Sequence, residues 1–309
     1  THCISSAASD VYKRQDARIA SPPERFAMTA LILPQPTLDE GCFASVPVFT
    51  DEALFEACGV RIAFTMREGG VSEGPYASLN LGSHVQDDLD KVLQNRALLF
   101  SALAPSLEES EQALIVPKQV HGDTVLTVGA AREVARVQRA AAEGADGIIV
   151  SAHEVGALLC FADCMPVIIV LPTGRFAVVH AGWRGIENEI SAKALGLMLD
   201  QECQEHGFSR SELAAQTNVY IGPYIHRECF ETGADVHALF VAKFGEECRF
   251  DDAHIDLGAA LRVQLAARGI DPARICDLGC CTVCENDRFF SFRAQDGVSG
   301  RHGAFAIRL

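Results

Sequence analysis

No stretch of this chain approaches the ~18 consecutive apolar residues of a membrane-spanning helix. The N-terminus lacks the charged stretch, apolar segment and small-residue cleavage site of a secretory signal. Basic residues are in short supply, 26 against 41 acidic ones, for a formal net charge of −15. That balance argues against duplex nucleic acid as a partner, because affinity there rests on cationic contacts to phosphate. It still allows a small anion held by a few arginines in a cleft, where the local field outweighs net charge. No two histidines stand in His-x-His spacing, which removes the paired imidazoles that a cluster of several copper ions would use.

Cysteine, by contrast, is plentiful. The twelve residues are spread over a long chain, several inside apolar runs such as Leu158-Leu159-Cys160-Phe161. That distribution reads as reduced thiols, not a disulfide scaffold, and a cytoplasmic location follows. Hydrophobic residues make up 49 % of the chain, enough to fill a substantial core. Residues 1–40 differ from the rest, with prolines at Pro22, Pro23, Pro34 and Pro36 and little periodicity. The segment Ser9 to Gln15 resembles spurious translated sequence at the ends of environmental open reading frames. Residues 1–40 are therefore expected to be a disordered or non-native leader, with Met28 as a start, and 41–309 a single domain.

From Val60 onward, strand and helix patterns alternate. Val60–Thr65 reads as a strand and Arg67–Asn80 as a glycine-rich loop. Helical spacing runs over 88–102, 132–143, 186–207, 233–244 and 256–268. Short apolar runs at 113–116, 147–150, 156–161, 167–171 and 176–179 have the length and punctuation of strands buried on both faces. Phe289-Phe290-Ser291-Phe292-Arg293 is expected to be a further strand. The sum is one α/β domain, with no repeat and no linker over 45–309.

Three segments place polar residues at the ends of apolar strands: Gln119-Val120-His121-Gly122, Ala162-Asp163-Cys164-Met165-Pro166 and His180-Ala181-Gly182-Trp183-Arg184-Gly185. Ligands gather at such ends in α/β sheets. Two imidazoles and a thiolate form a set suited to zinc or copper, and three protein ligands leave a fourth position free for chemistry. The spacing alone leaves two alternatives open: ordinary core and loop residues, or a metal-free Cys–His nucleophile pair. Near the C-terminus, Cys281 and Cys284 form a CxxC pair whose matching second pair is missing, so buried turn cysteines are expected.

These segments resemble the YfiH-like, laccase-domain family, described both as multicopper polyphenol oxidase and as purine nucleoside phosphorylase. Further matching stretches are Arg67-Glu68-Gly69-Gly70-Val71-Ser72, Ser78 to Gly82, Asn95-Arg96, Ile221-Gly222-Pro223, Phe230-Glu231-Thr232-Gly233, the 289–293 run and Gly300-Arg301. The resemblance covers about residues 45–309. It implies a layered α/β (α+β) fold with mixed sheets flanked by helices, similar to the cytotoxic necrotizing factor catalytic domain. It also implies zinc, with copper as the alternative, at His121, Cys164 and His180. The implied activity is phosphorolysis of adenosine, inosine and guanosine, with adenosine deamination and methylthioadenosine cleavage besides. Ala294 stands where the family often has a second arginine; Phe230 and Thr232 replace its tyrosine and valine.

For such a reaction the expected phosphate and nucleoside contacts are Arg67, Asn80, Gln119, Arg184 and Arg293, with Arg301 a further candidate. Arg67 leads because its loop also offers backbone N–H groups; arginine suits phosphate by its bidentate fork. Asp163 is expected either to orient a ligand or to transfer protons. His84 and His226 are expected in solvent. The partners are a purine nucleoside and phosphate, with neither nucleic acid nor membrane, and the chain is expected as a monomer or small homo-oligomer. Two rivals remain, a copper-dependent phenol oxidase and a hydrolase using Cys164 as nucleophile.

Overall fold

In the computed structural model, residues 32–107 and 113–309 are described. β1 (Asp39–Phe43), β2 (Val46–Thr50) and β3 (Val60–Thr65) form an antiparallel meander. Helix α1 (Glu52–Cys58) lies between the last two, capped at its start by the Asp51 carboxylate, which accepts the Leu54 N–H. The final strand, β12 (His302–Arg308), inserts antiparallel between β3 and β7 (Gly156–Phe161), and β4 (Leu114–Ile115) adds parallel to β7. This first sheet has the order β1-β2-β3-β12-β7-β4.

The second sheet contains β5 (Val125–Val128), β6 (Gly147–Val150), β8 (Met165–Val170), β9 (Phe176–Ala181), β10 (Asn218–Ile221) and β11 (Ile275–Asp277). Its order is β11-β10-β8-β9-β6-β5, with the two edge pairs parallel and the inner pairs antiparallel. Successive side chains point to opposite faces of a strand. Along β8, Ile168 and Val170 therefore pack with Phe64 and Phe161 of the first sheet. Val167 and Ile169 pack on the other face against α5 (Ile190–His206) and α8 (Leu257–Ala267). Helix α2 (Leu89–Leu103) covers the outer face of the first sheet through Leu99, Phe100 and Leu103. The layers run helix, sheet, sheet, helix. Each fully buried large apolar side chain contributes roughly 1.5–3 kcal/mol, so the shared layer between the sheets binds them into one folding unit.

The remaining helices are α3 (Val134–Glu143), α4 (Trp183–Glu187), α6 (Arg210–Gln216) and α7 (Ala234–Phe244). The mixed α/β layering matches expectation, and β7, β8 and β9 are buried along their whole length. They are apolar on both faces because a second layer covers each face, not because the sheet is parallel.

Two expected elements differ. The 186–207 helix is interrupted at Asn188–Glu189, where Glu189 takes a left-handed conformation. There the carbonyl of Ile186 accepts from the Gln264 side chain at 2.7 Å as well as from the Glu189 N–H at 2.9 Å. The expected strand at 289–293 does not form. Phe289 and Phe290 are buried as anchors of a turn, and Ser291 bonds the Asp163 carboxylate instead of a neighbouring strand.

Of the expected leader, residues 1–31 lie outside the described residues. Leu33 is buried, and the Pro34 carbonyl accepts from Arg274 and Asn218. Ordered chain therefore begins before residue 41. Among the described residues, no helix is long and apolar enough to cross a membrane.

Candidate metal centre and active site

The chain crosses between the two sheets at Ala162-Asp163-Cys164, joining β7 to β8. Asp163 makes that turn with φ 91°, a left-handed conformation costly for a non-glycine residue and held only by surrounding contacts. Those contacts are explicit. Its carboxylate accepts from Thr282 Oγ1 at 2.7 Å, Ser291 Oγ at 2.6 Å and the Arg293 backbone N–H at 2.7 Å. Asp163 thus orients the turn that presents Cys164, the first of its two expected roles.

His180 is the penultimate residue of β9 and pairs with Pro166 of β8. His121 lies in the loop after β4, also in left-handed conformation, with φ 58°. Asp146, at the entrance of β6 and fully buried, joins these two segments. Its carboxylate contacts His180 Nδ1 at 2.8 Å and accepts the backbone N–H groups of Val120, His121 and Gly122 at 3.3, 3.0 and 2.7 Å. The result gathers one ligand atom each from His121, Cys164 and His180 within 4.8 Å of one another. The two imidazoles meet edge to face, 4.7 Å between centroids.

The electrostatics follow from that packing. Burial opposes charge on both Cys164 and His180, but their attraction outweighs it. The Cys164 thiol, facing His180 and His121, is pulled down to about 6, and His180, between Cys164 and Asp146, is pushed up to about 9. Cys164 is therefore a thiolate at neutral pH, the form that acts as ligand or nucleophile. With Nδ1 engaged by Asp146, His180 has Nε2 left for a ligand, the arrangement common around metal-binding imidazoles. Gly182 keeps the space open: a Cβ there would stand 3.1 Å from Cys164 Sγ and 3.4 Å from the His121 ring.

Above these residues opens a cavity of about 350 Å³. Phe161, Trp183, Ile225, Phe230, Leu257 and Phe292 provide its apolar walls, and His84, Arg293 and Arg301 its cationic or titratable groups. His84, though exposed, is pushed down to about 4 by desolvation and by the charges of Arg301 and Arg96, so it lines the cavity as a neutral imidazole. His226 is also not a free solvent residue: its ring packs on Tyr224 at 4.7 Å and its Nε2 is buried.

The expected substrate residues divide. Gln119 and Arg293 line the cavity. Both amide ends of Gln119 are committed to the backbone of Cys160, at 2.8 Å each, so its side chain ties the His121 loop to β7. Arg67 does not reach the cavity. Its guanidinium donates to the carbonyls of Ala77 at 3.1 Å and Asn286 at 2.6 Å and lies 4.5 Å over the Phe290 ring. Asn80 is fully buried and bonds Gly82, Asp87 and the Arg301 N–H. Arg184 folds over its neighbour Trp183, 4.1 Å from the ring, at the surface. The glycine-rich loop wraps around Asn95, whose side chain bonds Val71, Ser72, Ser78 and Asn80. A Cβ on Gly70 would stand 2.5 Å from Asn95 Oδ1, so close packing explains this glycine and no anion cradle is required.

Asp146 is the residue that sequence reasoning missed. Its signal, an acidic residue before an apolar run, is shared by every strand that starts with aspartate. The aromatic walls were equally silent, being scattered from Phe161 to Phe292.

Comparison with known proteins is consistent with this architecture. A family model described as multi-copper polyphenol oxidoreductase laccase matches residues 61–308. The purine nucleoside phosphorylase YlmD of Geobacillus stearothermophilus is 33 % identical over 262 residues, covering 81 % of this chain and 90 % of that protein. A protein named adenosine deaminase RL5, from an unknown prokaryotic organism, is 33 % identical over 250 residues, covering 77 % of this chain and 90 % of its own length. The crystal structure of the Geobacillus YlmD superimposes with a TM-score of 0.73 at 30 % identity, over 88 % of this chain and 99 % of that one. The Bacillus licheniformis hypothetical protein YfiH gives a TM-score of 0.73 at 27 % identity, over 87 % and 99 %.

Proposed function

The chain belongs to the multi-copper polyphenol oxidoreductase laccase family, and within it we propose that this protein is a purine nucleoside phosphorylase holding zinc at His121, Cys164 and His180. The observation that carries this reading is the cavity itself: a thiolate and two imidazoles at its floor, aromatic walls and two arginines at its edge. The relatives named purine nucleoside phosphorylase support the same reaction class.

The donor set fits zinc. Three ligand atoms lie within 4.8 Å of one another, the second histidine nitrogen is engaged by Asp146, and Gly182 leaves the approach unobstructed. Bound there, zinc supplies Lewis-acid polarisation of a substrate group. Copper suits the same donors, but three ligands without a His-x-His pair do not build a multi-copper cluster.

Phosphorolysis transfers ribosyl C1′ from a purine nitrogen to a phosphate oxygen. The C–N bond breaks, a C–O bond forms, and the purine leaves with the electron pair and takes up a proton. The chain's own tasks are to stack the flat purine, hold the phosphate dianion and exclude water. Phe230, Phe292 and Trp183 offer the apolar surfaces for the first. Arg293 and Arg301 offer cations for the second, and charge-assisted bonds to phosphate are about twice as strong as neutral ones. Neutral His84 can donate or accept a hydrogen bond to a sugar hydroxyl. Asp163, its oxygens occupied by three donors, positions Cys164 and Arg293 and is not a proton carrier.

The test is direct. Metal-analysed protein is incubated with inosine, with and without phosphate, and hypoxanthine and ribose-1-phosphate are assayed. Phosphate-dependent release of both is expected; its absence in zinc-loaded protein overturns the proposal. Full activity without bound metal in Cys164→Ser rejects the site. A second reaction, hydrolytic deamination of adenosine, is supported by the relative named adenosine deaminase; adenosine without phosphate should then yield inosine and ammonia. Free thiols throughout the described residues fit the reducing cytoplasm assigned in this reading.

A further inference from the structure

The Cys281-x-x-Cys284 pair lacks a second CxxC in the sequence, but the fold supplies another partner. Cys229 comes from the loop between β10 and α7, Cys281 and Cys284 from the loop after β11. The Tyr224–Cys281 bridge continues the parallel pairing of β10 with β11 and holds the two loops side by side. The three sulfurs lie within 4.8 Å of one another, and Cys229 Sγ and Cys284 Sγ are 3.6 Å apart. A tetrahedral zinc with bonds of about 2.3 Å sets neighbouring sulfurs about 3.8 Å apart, so the observed spacing needs little adjustment. The backbone N–H of His226 already points at Cys281 Sγ, 3.4 Å away, the kind of outer hydrogen bond that orients a ligating thiolate. Cys284 is exposed and Cys281 buried, so the cluster reaches from the surface inward and an ion has a path of entry.

We propose that Cys229, Cys281 and Cys284 form a second metal site, a three-thiolate clamp for zinc with a solvent-side fourth position. On binding, the three thiols release their protons to solvent and three Zn–S bonds form; no electron transfer is involved. The site is separate from the His121–Cys164–His180 group but is linked to its cavity. Phe230, next to Cys229, forms part of the cavity wall, and Thr282, next to Cys281, donates to Asp163. Arg293 Nη1 donates to the Cys229 carbonyl at 3.1 Å. A filled clamp holds these wall segments at a fixed separation, while an empty one leaves them joined by hydrogen bonds and core packing.

The experiment uses the full chain in a Cys164→Ser background, which disables the first site whatever reaction that site serves. Reduced, metal-stripped protein is titrated with zinc and analysed by elemental analysis, and cadmium is then substituted to read sulfur-to-metal charge transfer. About one equivalent per chain with thiolate charge-transfer absorbance is expected. Cys284→Ser should weaken binding by about 100-fold or more, whereas Cys42→Ser, at an exposed thiol outside the cluster, should leave it unchanged. In the otherwise unaltered chain, zinc should protect Cys284 from alkylation but not Cys42. The proposal is overturned by a folded Cys164→Ser protein that takes up no zinc, or by undiminished affinity in Cys284→Ser. A Cys229–Cys284 disulfide in peptide maps of the zinc-loaded protein also overturns it, since the pair would then serve as a redox couple.

Discussion

The carboxylate of Asp146 touches His180 Nδ1 at 2.8 Å, and the same group accepts the N–H of His121 at 3.0 Å. One buried charge therefore sets the ring orientation of one candidate ligand and the backbone of another, although the two come from different elements. Replacing Asp146 by Asn keeps the size but removes the charge that holds His180 Nδ1–H and the turn at 120–122. Outer partners of metal ligands are typically worth 10–100-fold in affinity. Asp146→Asn should lose zinc to a chelator competitor by about that factor, with activity falling in parallel. Unchanged chelator competition would separate Asp146 from the site.

Gly182 has a steric role. A methyl group at its Cβ would press on Cys164 Sγ at 3.1 Å and crowd the His121 ring at 3.4 Å. Gly182→Ala should fold normally, because its φ of −65° suits any residue. Displacement of a reacting group by about 1 Å can cost about 100-fold in rate. A loss of kcat of at least tenfold with little change in Tm is expected; a fully active variant would show that the crowding relaxes away from the ligands.

The arginines separate by readout. Arg67 is held by two carbonyls and a phenyl ring outside the cavity, whereas Arg293 lines it. Arg67→Ala should lower Tm, leaving Asn286 and Ala77 carbonyls without their donor, and should leave the KM for phosphate near its starting value. Arg293→Ala should raise that KM by about tenfold or more, the loss of one charge-assisted bond worth about 1.5–3 kcal/mol. The reverse pattern would return Arg67 to the phosphate site.

His302 makes stability depend on acid. Its ring is fully buried between Phe161 and Phe289, and burial, aided by the charges of Arg301 and Arg67, pushes it down to about 3. The unfolded chain therefore takes up its proton first, near the usual 6.5. Stability from the neutral ring is complete above that pH and is lost progressively as pH falls toward 3. By linkage the loss at pH 5 is about 2 kcal/mol. His302→Leu, similar in volume and with no polar atom to strand, should flatten the denaturation midpoint between pH 7 and 5. Parallel curves for the two proteins would assign the acid sensitivity elsewhere.

Much of the scaffold was legible in the linear text because its periodicity was local. Val60–Thr65, Gly147–Val150 and Gly156–Phe161 carry their apolar runs within their own bounds, and each forms the expected strand. The 289–293 run shows the limit of that logic: it is as apolar as any strand, yet Phe289 and Phe290 are buried by a turn anchored on Asp163 and Phe292 is exposed. β12 could not be placed from the linear text because its pairing partners, β3 and β7, lie far away in sequence. The three candidate ligands stood out through the glycine and proline beside them, and the family resemblance supplied their common purpose.

The amino-acid sequence by itself determined the layer pattern and the chemical types at the strand ends, since burial on two faces and turn-forming residues are properties of short segments. Only the tertiary structure decided which of those residues meet. It brought Asp146 under His180 and His121, withdrew Arg67, Asn80 and Arg184 from the cavity, and placed Cys229 against Cys281 and Cys284. The reason is physical. A carboxylate or thiol has the same composition wherever it falls, and its role is set by neighbours within a few ångströms that only the crossing of two sheets and the pairing of distant loops can provide.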